Sequence, residues 1–220
     1  MDTENRRPLK SRSSGWARVL ATTLARLGVS PDFLSALSVV FALGGAACFV
    51  LSATPDDVRR AALLIGAAVC IQLRLLCNLL DGMVAVEHGK GSSAGPIWNE
   101  LPDRIADVCF LVGAGYACEL SGWAGASVTG WIAAIGALLT AYVRELGRGL
   151  GFAADFCGPM AKPHRMALLT GASVLAAAEP LWGWRGQTLL IALALIALGA
   201  VITAARRTQH LAQQLAARAK

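Results

Sequence analysis

The chain reads as an all-α integral membrane protein of six transmembrane helices preceded by an N-terminal amphipathic helix lying in the interface. Three observations predict this. Of its 220 residues 55% are hydrophobic and only 15% charged, with a mean hydropathy of +0.55, beyond what an ordinary soluble domain carries. Apolar stretches near spanning length recur at 33–53, 61–80, 105–122, 126–146, 165–182 and 187–205. They are rich in Ala, Leu and Gly, and none alternates as a barrel strand does.

In chain order, residues 1–14 are polar and basic, contain Ser and Pro, show no apolar period, and read as a mobile N-terminus. From Trp16 to Leu27 the apolar residues Trp16, Val19, Leu20, Leu24 and Leu27 recur at helical spacing while Arg18 and Arg26 keep to the polar side. This predicts an interfacial helix anchored by Trp16. Ser30 is expected to cap the first span, with Pro31 at its first position. The first hydrophobic run starts only after about thirty residues and lacks a small-residue cleavage site, so no signal peptide is expected. One membrane domain covers 15–208, a charged tail follows at 209–220, and neither an internal repeat nor a second domain is visible.

Lys and Arg set the orientation. With six spans and the N-terminus inside, the cytoplasmic segments hold nearly all of them, and the outer loops hold only Arg59, Arg60 and Arg185. The positive-inside rule then places both termini in the cytoplasm, and the inner cell membrane is the expected location. The net charge of +6 gathers on that side, where anionic head groups would attract it. Nucleic acid is a poor partner, because the basic residues are not interleaved with aromatics and no base-binding module appears. Cys48, Cys70, Cys109 and Cys118 fall inside spans with no C-x-x-C pair, and read as small packing residues.

The most informative stretch runs from Asn78 to Asp107. On a helix Asn78, Asp81 and Ala85 share one stripe, and Asn99, Asp103 and Asp107 share another, across a Gly/Ser loop. Both segments continue into apolar runs, where acids are costly unless they bind a cation, a proton donor or a substrate, so a metal site is expected. Pro102 is expected in the first turn of the third span, which would put Asn99 to Asp103 at a helix start. Arg74, four residues before Asn78, is aimed at the same region; a structural ion pair or snorkelling would suit it as well. In the loop, His88 reads as a turn residue, and the three glycines with Lys90 have a composition that can bend around phosphate. Arg144, Lys162 and Arg165 would converge at the cytoplasmic face if their helices are neighbours, forming a pocket for a phosphate-bearing acceptor. An ordinary positive-inside cluster would look the same.

This stretch resembles the signature of the CDP-alcohol phosphotransferase (CDP-alcohol phosphatidyltransferase) family, integral membrane enzymes of phospholipid synthesis. That signature reads Asp-x2-Asp-Gly-x2-Ala-Arg, eight or nine residues, then Gly-x3-Asp-x3-Asp. Here it stands as Asn78-x2-Asp81-Gly82-x2-Ala85-Val86, eight residues, then Gly95-x3-Asn99-x3-Asp103, with every spacing matched. Two aspartates are replaced by Asn78 and Asn99, and the arginine by Val86.

The resemblance implies a transferase. In that chemistry Mg2+ or Mn2+ binds the pyrophosphate of a CDP-linked lipid such as CDP-diacylglycerol, an acceptor hydroxyl attacks the lipid-side phosphorus, and CMP leaves. It implies Asp81 as a metal ligand, Asp103 as metal ligand and general base, and Asn78 and Asn99 as neutral carbonyl ligands. Gly82, Ala85 and Gly95 would let the cytidine nucleotide lie against the helices. Glu100, three residues before Asp103, is the best placed of Glu87, Glu100 and Asp107 to restore lost charge, and Lys90 would replace the missing arginine at phosphate. Arg144, Lys162 and Arg165 favour a phosphorylated acceptor, such as glycerol phosphate or an inositol phosphate, without choosing between them.

Two other readings stay open. One is a catalytically silent relative that binds nucleotide or lipid, or assists another membrane enzyme. The other, a transporter, is disfavoured because the polar residues gather at one face and no inverted repeat is seen. Homodimers are common in the family; Gly44, Gly45, Gly113 and Gly115 would suit a helix interface or tight packing within one chain.

Overall fold

The computed structural model describes residues 14–87, 89 and 93–219, and every regular element among them is helical. The helices are α1 (Gly15–Arg26), α2 (Pro31–Leu51), α3 (Asp57–Glu87), α4 (Gly95–Leu120), α5 (Ala126–Gly149), α6 (Lys162–Ala177) and α7 (Gln187–Arg218), with a short 3-10 turn at Glu179–Trp182. The basic N-terminal stretch, apart from Ser14, lies outside the described residues, as do His88 and Lys90.

Local signals place several boundaries. The Ser30 hydroxyl accepts from the Phe33 N–H at 3.1 Å with Pro31 at the helix start, as its sequence predicts. Helix α1 forms where the periodicity puts it, but its packed face is small: Ala17, Ala21 and Ala25 are buried against Leu79, Leu80, Met83 and Val84 of α3 and Leu34 of α2. Trp16, Val19 and Leu27 point outward and are more than half exposed.

The six longer helices close a ring in the order α2, α4, α5, α7, α6, α3 and back to α2, with α4 also touching α7 across it. Four of them, α2, α3, α5 and α7, are long and apolar enough to cross a membrane. The other two expected spans fall short of that measure. Helix α4 is interrupted by Asp103, Arg104, Asp107 and Glu119, and α6 has only 16 residues before the chain turns at Glu179. Polar residues survive on these helices because neighbours in the ring cover them. Helix α7 continues unbroken through the charged tail to Arg218.

Pro102 is a second correction. Helix α4 starts at Gly95 with Pro96 in its first turn, so Pro102 lies inside the helix, where its missing N–H leaves the Trp98 carbonyl without its usual donor. The apolar run marks where the hydrophobic stretch begins, whereas the helix itself begins earlier, at Gly95.

Close approach depends on small residues. A Cβ on Gly113 would stand 2.9 Å from Ala46 Cα, one on Gly115 2.9 Å from Gly130 Cα, and one on Gly136 2.9 Å from Ala200 Cβ. Gly113 and Gly115 are therefore used within the chain, between α4 and its neighbours α2 and α5. Gly45 packs on Phe110 in the same way.

At the end where α3 begins, Arg60 and Glu179 form a buried ion pair at 2.8 Å. Glu179 also accepts from the Gly186 and Thr188 N–H groups at 2.6 and 2.7 Å. Arg185 pairs with Asp57 close by. From Arg60 to Asp81 the helix rises about 30 Å, so this clamp and the acids of the signature stretch occupy opposite ends.

Because a Cβ on Gly130 would stand 2.8 Å from the Leu111 carbonyl oxygen, Gly130→Val should destabilise the bundle by about 1–3 kcal/mol. Unfolding of the purified protein in detergent measures this; an unchanged midpoint would mean that α4 and α5 are not in this contact.

Candidate active site

Three helices bring the polar residues together at the end where α3 finishes and α4 and α6 begin. Helix α3 supplies Arg74, Asn78 and Asp81, one turn apart on one face; α4 supplies Asp103 and Asp107; α6 supplies Lys162 and Arg165 from its first turn. Arg74, Asp81, Asp103, Asp107 and Arg165 are all buried.

Buried charges must be matched, and here they are matched between helices. Arg74 donates to the Asp103 carboxylate at 2.8 Å and to its carbonyl at 3.2 Å, and stands 3.6 Å from Asp107. Arg165 donates to the other Asp107 oxygen at 2.7 Å, to the Thr140 hydroxyl at 3.3 Å and to the Met160 carbonyl at 2.9 Å. Lys162 Nζ bridges α3 and α4, donating to Asn78 Oδ1 at 3.0 Å and to Asp103 Oδ2. Arg104 stands 3.7 Å from Asp103 Oδ2.

Asp81 is held differently. One oxygen accepts from the Ser35 hydroxyl of α2 at 2.7 Å, and the other is buried with no hydrogen bond. Arg74 Nε and Nη1 are likewise buried without partners. These atoms, with Asp107 Oδ1 and Arg165 Nε, are the open polar capacity of the site, since burying them unmet is costly. A bare carboxylate oxygen is also the donor type that Mg2+ and Mn2+ take. The residues therefore fit one divalent ion at Asp81. Asp107 Oδ1 is also buried without a hydrogen bond but stands 3.6 Å from Arg74, Asn78 is engaged by Lys162, Asp103 by Arg74 and Lys162, and Asn99 is exposed, so within this cluster Asp81 is the carboxylate with no cation paired to it.

The other expected residues take distinct places. Glu100 turns away from Asp103 to Arg144 at 2.7 Å and Arg104 at 3.2 Å, so its charge is spent on those guanidinium groups. Arg144 also bonds Glu145 at 2.8 Å. Arg144, Lys162 and Arg165 thus lie at one end of the bundle but each faces its own acid, and Arg165, only 1% exposed, is divided between Asp107, Thr140 and the Met160 carbonyl. Gly82, Ala85 and Gly95 are half-buried around the acids, and Glu87 is exposed at the end of α3.

Some contacts had no signal in the sequence. Ser35 and Thr140 come from helices without any motif. The loop between α5 and α6 is tied to α7: Met160 N–H donates to Thr203 at 3.0 Å, and Arg207 donates to the Cys157 and Thr140 carbonyls at 3.0 and 2.7 Å. Asp155, Cys157 and His210 bring donor atoms within 4.8 Å of one another along the same seam. Burial pushes the Asp155 carboxyl up, but hydrogen bonds from the Cys157 N–H and thiol and from His210 outweigh it and hold it below the ordinary range.

A groove of about 340 Å³ runs outward between α3 and α6, lined by Ile65, Ala68, Val69, Leu73, Leu76 and Val174. It follows the two helices that carry Asn78 and Lys162.

The fold and this cluster define an all-helical protein with membrane-crossing helices and a charged, metal-compatible site at one end of the bundle. No protein-family model matches the chain, and no curated protein matches it in sequence. Solved structures do. The fold is that of phosphatidylinositol phosphate synthase (PgsA1) from Mycobacterium tuberculosis, a CDP-alcohol phosphatidyltransferase. Its structure with CDP-DAG bound superposes with a TM-score of 0.75 at 21% identity over 90% of this chain and 94% of that one. Its complex with manganese and citrate gives 0.73 at 21% identity over 89% and 88%, and its apo form 0.70 at 21% over 86% and 93%.

Asp107→Ala should destabilise the protein by about 3 kcal/mol or more, because it leaves Arg165 buried without its acid. The unfolding midpoint reads this directly; a change confined to activity would mean that Asp107 acts on substrate instead.

Proposed function

We propose that this chain transfers the phosphatidyl group of a CDP-linked lipid such as CDP-diacylglycerol to an alcohol or phosphorylated alcohol, releasing CMP, as a step of phospholipid synthesis. The reading places it in the inner membrane as a multi-pass protein, with both termini and the site cytoplasmic. The observation that carries it is the convergence of Asn78, Asp81 and Asp103, at the family's spacing, within a fold shared with an enzyme solved with CDP-DAG.

In this reading Asp81 would hold Mg2+ or Mn2+, and Asn78, which already accepts from Lys162, and the exposed Asn99 would lend carbonyl oxygens to that one ion without building a second site. The ion would draw charge off the pyrophosphate and ease the departure of CMP. Asp103 takes the acceptor proton. A carboxylate has about four acceptor sites, so its bonds to Arg74 and Lys162 leave room for a hydroxyl. The acceptor oxygen then bonds to the lipid-side phosphorus, and the P–O bond to CMP breaks with its electron pair going to CMP. Gly82, Ala85 and Gly95 leave space for the nucleotide, and the α3/α6 groove suits an acyl chain. Arg144 and Lys162 address phosphate on the acceptor; Arg165 positions them through Asp107 and the loop. Lys90 remains a proposed phosphate contact on sequence grounds alone.

One observation favours a second reading, a silent relative that binds nucleotide or lipid: two signature carboxylates are neutral, and Lys162 already engages Asn78 and Asp103.

The deciding assay is CMP release by purified protein in bilayers with CDP-diacylglycerol, Mg2+ or Mn2+, and a panel of acceptors, with and without chelator. Chelator-sensitive release with one acceptor is expected, falling by about 100-fold or more in Asp103→Asn. Metal-dependent nucleotide binding without any release would establish the silent relative.

A further inference from the structure

The carboxylates of this cluster are outnumbered by its cations. From α3 come Arg74 and Asp81, from α4 Asp103, Arg104 and Asp107, and from α6 Lys162 and Arg165. Four cations thus face three carboxylates, and the adjoining Arg144 and Glu100 cancel. Two dications brought into this cluster would meet net repulsion, where four aspartates would attract them.

One of those cations stands at the metal-binding positions themselves. Lys162 Nζ touches Asn78 and Asp103, the first and last residues of the signature, which lie on different helices. It thereby links α3 to α4, the connection that a shared metal ion makes between carboxylates. The geometry is also economical in donors: an ammonium has three N–H groups, two are used on Asn78 and Asp103, and the third remains for a phosphate oxygen. The amide at position 78 suits this arrangement, since its carbonyl oxygen accepts from the ammonium without adding charge.

We propose that the Lys162 ammonium is a tethered cation that replaces one divalent ion of the CDP-alcohol phosphotransferase reaction, so that this site binds at most one divalent ion, at Asp81, and meets the substrate pyrophosphate with Lys162 on the other side. The proposal rests on the transferase reading for its substrate, but its charge argument stands on the cluster alone. The Asn78 and Lys162 identities then belong together, as a matched pair in place of an aspartate and a metal ion.

The test is Mn2+ binding, counted per chain by electron paramagnetic resonance on the full protein in bilayers, with and without CDP as the nucleotide probe. The wild type should bind no more than one ion. The double variant Asn78→Asp with Lys162→Met should gain a second, or bind Mn2+ at least about tenfold more tightly, whereas Lys162→Arg, which keeps the charge, should retain the wild-type count. With His210→Ala in every sample to remove the separate Asp155, Cys157 and His210 donor group, two ions bound without the other changes, or a double variant with unchanged stoichiometry and affinity, would overturn the proposal. If the double variant does not fold, the wild-type count decides by itself. Failure of CMP release with the binding pattern intact would remove the transferase reading and leave the tethered cation standing.

Discussion

Charge removed from water has to be answered by charge, and in this bundle the answers come from other helices. Arg74 ties α3 to α4, Arg165 ties α6 to α4, and Lys162 ties α6 to both. An uncompensated ion in such surroundings costs several kcal/mol, so these helices are held to the registers in which every pair is made. Arg60 and Glu179 impose the same condition at the far end. Between the two ends the buried contacts are mostly Ala and Leu, with Phe49, Ile71, Phe110, Met166 and Ile196 among them, and these apolar contacts discriminate less between registers than the ion pairs do.

The small residues and the ion pairs act together. Gly113 against Ala46 and Gly115 against Gly130 let α4 approach α2 and α5 closely, while Arg74 and Lys162 reach α4 from α3 and α6. The result is a rigid frame with its polarity concentrated at one end. Fixed donors and acceptors of this kind stabilise developing charge without reorganising, and Asp81 Oδ1, Asp107 Oδ1, Arg74 Nε and Nη1 and Arg165 Nε, all left without hydrogen-bond partners, lie in that same cluster.

The likeness to phosphatidylinositol phosphate synthase concerns the fold, and the departures from the signature concern the site. Asn78, Asn99 and Val86 change charge without changing spacing, so they leave helix packing intact while altering what the site holds. Ser35 offers Asp81 a hydroxyl where Asp103 and Asp107 have cations, so Asp81 keeps an open carboxylate oxygen with no ion pair beside it.

Local pattern was readable in the chain alone. The cap at Ser30, the helix over 15–26, the shared face of Arg74, Asn78 and Asp81, and the small residues around them follow from helical periodicity, which depends only on near neighbours. Hydropathy windows did less well at α4 and α6, because a window averages over faces and cannot tell a buried polar stripe from a helix end; Pro102 was misplaced for the same reason. What the tertiary structure alone decided is partnership. Lys162 meets Asn78 across 84 residues, Arg165 meets Asp107 across 58, and Glu100 goes to Arg144 across 44. Several acids and bases of equal charge compete for each partner, and only the packed positions of their helices determine which pair lies within hydrogen-bonding distance.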